Sequence, residues 1–232
     1  MSGGRGARPP PERPDAGPAR PLPRAILAGP SLHAARAILG ARLVRAPFDG
    51  FDRRAGRIVE VEAYIGQEDR ASHARMGPTP RNRVMFGPPG IAYVYLVYGM
   101  HHCLNVVTEA ESRPAALLVR AVEPLEGIES MRAARDASTN RQSRTPRVIA
   151  AARLAAGPGL VAAAFGIDRT LTGTDLCDPG SPLRLELAPD DERRPIVTAT
   201  PRIGVGYAGE PWVSRPWRLV VAGSPSLSGP RA

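Results

Sequence analysis

Apolar and polar residues alternate most regularly over Arg57–Ile65, where RIVEVEAYI reads as a β-strand. Side chains on a strand point to opposite faces in turn. Val59, Val61, Ala63 and Ile65 are therefore expected on one face, and Ile58, Glu60, Glu62 and Tyr64 on the other. Similar patterns predict strands over Arg42–Arg45, Ile91–Tyr98, Leu104–Thr108, Ala115–Val122, Leu183–Leu187, Val197–Val205 and Trp217–Ala222. The break at Gly99 makes Ile91–Tyr98 and Leu104–Thr108 a hairpin with Tyr98 near its tip. Helices are expected from Ser31, as N-cap, to Leu39 with Gly40 behind it, and over Leu125–Arg135, Val148–Ala156 and Leu160–Phe165. Strands dominate, there is no βαβ rhythm and no repeat, so the fold class is α+β.

Between these elements lies a long Gly/Pro-rich loop over residues 66–90, a feature that in compact domains accompanies function or disorder. Residues 1–24 hold seven prolines and five arginines and few large apolar side chains, and read as a disordered tail before one domain over residues 25–228. At 232 residues the chain suits one substantial core. It shows no signal peptide and no apolar run long enough to span a membrane, which points to the cytoplasm.

Charge changes the picture. The net charge is +9, which suits a phosphate-rich partner as well as a merely solvated surface. All 31 basic side chains are arginine, so no side chain offers an amine for a Schiff base. Cys103 and Cys177 do not form a CxxC, and no His/Cys spacing suggests zinc; neither a metal nor another cofactor is expected. His101, His102 and Cys103 are adjacent on an extended strand, where alternating faces would serve one ion poorly.

The face bearing Glu60, Glu62 and Tyr64 is the first place to look for chemistry. Two acids on a strand often simply face solvent. A carboxylate beside a ring can also hold a water for attack on a sugar carbon, where the transition state resembles an oxocarbenium ion. A ring at the Tyr98 turn could fill the gap left when a base leaves the stack.

The runs IVEVEAYIGQEDRASHAR, TPRNRVMF, AYVYLVYGMHHCLNV, LLVRAVEPLEG and RIGVGYAGE together resemble the alkyladenine (3-methyladenine) DNA glycosylase family, over about residues 24–228. The resemblance implies a single mixed domain with a curved antiparallel sheet, flanking helices and a protruding, DNA-intercalating hairpin. It implies base excision repair acting on double-stranded DNA. A monomer is expected, because one flipped base needs one pocket, and the cytoplasmic default would place it with the nucleoid. Damaged purines such as 3-methyladenine, 7-methylguanine, hypoxanthine or ethenoadenine would be flipped out and released. Glu62 matches the general base that activates water, with Arg120 and the main-chain carbonyl of Val205 helping to hold that water. Tyr64, His73 and Tyr95 match the rings that sandwich the flipped base, Asn105 the residue that disfavours guanine, and Tyr98 the intercalating side chain. His101 and His102 after YGM depart from the pattern, and Glu109 and Glu111 put acids close to the expected DNA face unless they lie on a solvent loop.

The alternative is a nucleic-acid-binding module without catalysis. It would keep the basic surface without needing Glu62, His73 and Asn105 beside the tyrosines. Arg132, Arg135, Arg141, Arg144 and Arg147 form a spaced basic stretch, read first as a solvated helix end and second as a backbone contact. Phosphate neutralisation releases counterions. Duplex affinity measured by fluorescence anisotropy should therefore fall steeply with added salt; a flat response would contradict a DNA-binding surface.

Overall fold

The computed structural model describes residues 20–46, 52–138, 149–190 and 192–229. Residues 1–19 of the Pro/Arg-rich tail, and Arg141, Arg144 and Arg147, lie outside the described residues. Two short helices, α1 (Arg24–Ala28) and α2 (Ser31–Ile38), lead into β1 (Arg42–Arg45) and the long β2 (Arg54–Ile65). After a loop with one 3-10 turn come β3 (Ala92–Val97), β4 (His101–Thr108) and β5 (Ala115–Glu126). Helices α3 (Ile128–Ser138) and α4 (Pro158–Phe165) follow, then β6 (Leu183–Glu186), β7 (Val197–Thr200) and β8 (Arg218–Val221). Among the described residues the strand pairings are antiparallel. The sheet runs β3-β4-β5-β2-β1-β6, with β8 joining at β2 and carrying β7. This is an α+β domain with a curled antiparallel sheet, and no helix among the described residues is long and apolar enough to cross a membrane.

β2 is where the sheet forks. Its first half pairs with β1, through Arg57 opposite Arg42, and its second half pairs with β8 through Glu60, Val61 and Glu62. Along β5 the register slips between Ile58 and Glu60 and again before Val61, leaving Val59 without a partner. Such a bulge reverses the alternation of faces. The expected faces are corrected accordingly: Ile58 belongs to the core with Val61 and Ala63, rather than beside Glu60, Glu62 and Tyr64.

Other expectations also change. Ser31 is not the N-cap of α2; Pro30 occupies that place and the Ser31 hydroxyl donates to Glu109 instead. Glu109 is buried, accepts the Ser31 N–H and pairs with Arg113, so it anchors α2 rather than pointing to solvent. β5 extends through Leu125, which delays α3, and the helix expected over Val148–Ala156 is reduced to a 3-10 turn at Ala151–Arg153. Val197–Val205 is extended only through Thr200. Helix α1 is an element the sequence pattern does not predict; its own Leu27 is fully buried, and Leu22 just ahead of it is anchored to the Leu185 carbonyl. Arg135 is buried and donates to the Leu154 carbonyl, while Arg132 bonds the Ile149 carbonyl, so both guanidinium groups serve the fold.

The fork leaves little space around Gly56, which sits opposite Pro124. A Cβ there would lie 2.5 Å from Val122 Cγ1 and 2.7 Å from the Glu123 carbonyl oxygen. Overpacking of this kind costs about 1–3 kcal/mol. Gly56→Ala should lower the urea midpoint by a corresponding amount without changing the slope of the transition; an unchanged midpoint would show that β5 yields freely.

Candidate active site

The sheet register assembles the site. Tyr93 on β3 lies opposite Asn105 on β4, Asn105 opposite Leu118 on β5, and Leu118 opposite Glu62 on β2. Directly opposed residues share a face, so this row crosses four strands on one side. Two residues along in one direction come Tyr95, Arg120 and Glu60, and two residues along β2 in the other comes Tyr64. The sheet thus gathers side chains from residues 60 to 120 that are far apart in sequence.

Glu60 and Glu62 are both fully buried, in contrast to the solvent-facing alternative. Burying a carboxylate is costly unless donors surround it. Arg120 lies between the two, with Nε donating to Glu60 at 2.9 Å and Nη1 to Glu62 at 3.2 Å. Glu60 also accepts from Arg218 Nε at 2.7 Å and from both the backbone N–H and the hydroxyl of Ser228, at 2.6 and 2.7 Å. Burial alone would raise the Glu60 pKa, but hydrogen bonds from Arg218 and Ser228 and the charge of Arg120 more than offset it, and the pKa lies below its ordinary value.

Glu62 is held at both oxygens. Oε1 accepts the Ile203 N–H at 2.6 Å, and Oε2 accepts the Tyr64 hydroxyl at 2.9 Å as well as Arg120. The Tyr64 phenol is pushed well above its ordinary pKa, first by burial and then by the Glu62 charge, so it remains a donor. Val205 is buried beside Tyr64, Ala71, Ala208 and Trp212; its carbonyl accepts the Ala208 N–H at 2.9 Å and keeps a second lone pair.

The aromatic half adjoins this charged half. His73 and Tyr95 are in edge contact with centroids 4.4 Å apart, Tyr93 and Tyr95 lie 5.5 Å apart, and Tyr93 Oη is 3.0 Å from His73 Nδ1. Asn105 is buried and donates through Nδ2 to the Tyr93 carbonyl at 3.0 Å, which fixes the orientation of its amide. A concavity of about 230 Å³ opens alongside, lined by His73, Arg75, Arg81, Asn82, Tyr93 and Tyr207 among others. Tyr98 stands apart in the β3–β4 turn, 88% exposed, with a positive φ of 51° that a non-glycine residue adopts only at a cost. Cys103, opposite Tyr95, is buried and its thiol is pushed up to about 11, so it is not a reactive thiolate.

Glu62, Arg120, Tyr64, His73, Tyr95, Asn105 and Val205 therefore meet around one region, and Tyr98 lies beyond it at the turn. Sequence reasoning did not identify Asp69, Arg202, Arg218, Ser228 or the Ile203 N–H. Asp69 and Arg202 form a fully buried bidentate pair across 133 residues of sequence, a partnership no local pattern reveals.

A buried carboxylate backed by an arginine and flanked by rings is suited to hydrolysis at a sugar carbon bearing a planar leaving group, which is the work of a DNA glycosylase. A model of the methylpurine-DNA glycosylase family matches residues 25–225, and the chain belongs to that family. It is 48% identical over 190 residues to a Methanocella arvoryzae protein bearing 3-methyladenine DNA glycosylase in its name, covering 82% of this chain and 86% of that one. The human DNA-3-methyladenine glycosylase is 44% identical over 191 residues, covering 82% of this chain and 62% of the human protein. The mouse protein of the same name is 46% identical over 192 residues, covering 82% of this chain and 56% of that one.

His73 keeps one side open to solvent while its neighbours crowd the other. That packing, followed by the charge of Arg81, lowers its pKa below the ordinary 6.5. The neutral imidazole is thus favoured in the folded protein. The stability this preference contributes is present above about pH 6.5 and is lost as pH falls through the depressed value. An NMR titration of the His73 ring should give a midpoint below 6.5, and Arg81→Gln should move it upward. A midpoint above 6.5, or a downward move in the variant, would contradict this environment.

Proposed function

We propose that this protein releases damaged purines from duplex DNA by hydrolysing the N-glycosidic bond, with Glu62 deprotonating the attacking water. The observation that carries the reading is the state of Glu62: fully buried, ion-paired, and with acceptor capacity to spare. Among the described residues Oε2 takes two donors and Oε1 takes one, so Oε1 has a lone pair left for a water proton. The Val205 carbonyl, two residues after the Ile203 N–H, offers the second acceptor that would aim the water. Arg120 donates to both Glu60 and Glu62, and among the described residues two of its N–H groups are left over for the water or a DNA phosphate.

In this reading the flipped purine lies between Tyr64 on one side and His73 with Tyr95 on the other. Electron-rich ring faces attract a purine made positive by alkylation, at about 0.5–2 kcal/mol for a favourable contact. Neutral lesions such as hypoxanthine or ethenoadenine enter because weak pairing lowers the cost of flipping. Asn105, its amide fixed by the Tyr93 carbonyl, crowds the exocyclic amine of guanine. Tyr98 fills the space the base vacates. The enzyme acts as a monomer, one pocket serving one flipped base, and no cofactor is needed because water is the nucleophile. Lacking lysine, it releases the base without cutting the strand.

Single-turnover release from a duplex with one hypoxanthine, and separately from methylated DNA, tests this, with strand breaks scored before and after alkali. Wild type should release the base, nick only after alkali, and lose at least a hundredfold in rate as Glu62→Gln. Release unaffected by the substitution would remove Glu62 from the mechanism. Tight duplex binding with no release would favour the non-catalytic module.

A further inference from the structure

Behind Tyr64 lies a pair of charges that the hydrolysis does not use. The Asp69 and Arg202 side chains are both fully buried. Arg202 donates through Nη1 to Asp69 Oδ2 at 2.6 Å and through Nη2 to Oδ1 at 2.9 Å. Nη1 also reaches the Ala63 carbonyl at 2.9 Å, between Glu62 and Tyr64. Asp69 further accepts the backbone N–H groups of Ile65 and Ala71, at 3.3 and 3.0 Å. The guanidinium is sandwiched, its central carbon 4.7 Å from the Tyr64 ring centroid and 5.0 Å from that of Trp217. Its Nε has no hydrogen-bond partner among the described residues.

A buried ion pair is a weak source of stability, since well-packed apolar residues often do as well. The location of this one gives it a different consequence. Arg202 occupies one face of Tyr64, so a base can meet only the other. An aromatic ring attracts a cation through the negative potential of its faces. A positive charge already seated on one face works against a second cation on the other, unless a negative charge offsets it. Asp69 supplies that offset.

We propose that the Asp69–Arg202 pair sets the charge preference of the base pocket through the Tyr64 ring. Asp69 lets Tyr64 accept a cationic purine, and Arg202 limits how strongly it does so, which keeps neutral lesions competitive. Asp69 and Arg202 are specificity-determining residues that act through Tyr64 and do not touch the base. The inference rests on the proposed stacking of a flipped purine on Tyr64.

The test is the ratio of single-turnover release rates for 7-methylguanine, a cation in DNA, and hypoxanthine, which is neutral, each corrected for spontaneous loss. Asp69→Asn should lower the cationic-to-neutral ratio by at least threefold and up to about thirtyfold, the range expected for an unscreened charge across a ring. Arg202→Gln should move the ratio the other way, by at least twofold. A merely structural role would slow both lesions equally, or shift the ratio in the same direction in both variants, and either result would overturn the proposal. Circular dichroism checks folding, and if one variant does not fold, the direction of change in the other decides. Wild type that releases neither base, or releases both after Glu62→Gln, would instead discredit the proposed function, so the two failures are distinguishable.

Discussion

Two carboxylates on one strand have been taken out of water, and much of the surrounding structure supplies their donors. Glu60 and Glu62 are both fully buried. Removing one partner from a buried charged pair costs about 3–5 kcal/mol, because the remaining charge is left uncompensated. Arg120 is shared between the two acids, Arg218 and Ser228 complete the shell of Glu60, and Ile203 and Tyr64 complete that of Glu62. These donors come from β5, β8, the chain after β8, the segment after β7 and, for Tyr64, β2 itself. The fork in β2 admits them: β8 pairs with β2 at Glu60–Glu62, where β1 has left off.

The bulge is the local device behind this arrangement. Leaving Val59 unpaired puts Ile58 into the core together with Val61 and Ala63, while the acids remain on the opposite face. A strand without the bulge would turn either Ile58 or the acids the wrong way. The same face continues across β5, β4 and β3 to Asn105 and Tyr93, so one curled surface holds both the charged half and the aromatic half of the site. Tyr64 joins them, its hydroxyl on Glu62 and its ring against Arg202.

The charges are also divided by task. Arg135 and Arg132 bond main-chain carbonyls, and Glu109 anchors the start of α2. Arg81 lies over Tyr95, with its guanidinium carbon 5.5 Å from the ring centroid, close to the site itself. Net positive charge in the sequence therefore does not map simply onto a surface for phosphate; part of it is committed inside the fold.

The sequence by itself determined the strand-rich α+β class, most strands to within a few residues, and the alternation that set Glu60, Glu62 and Tyr64 side by side. These follow from period-two patterning, which is a property of neighbours along the chain. The motif blocks around Glu62, His73, Tyr95, Tyr98, Asn105, Arg120 and Val205 also pointed to the family without any coordinates. Only the tertiary structure decided that the two acids are buried, that Val59 is skipped, that Ser31 serves Glu109 instead of capping α2, and that Asp69 meets Arg202. Each depends on a partner far away in sequence. With 31 arginines available, a local pattern cannot say which guanidinium reaches which carboxylate; that choice belongs to the sheet register and the fork, which exist only once the strands have paired.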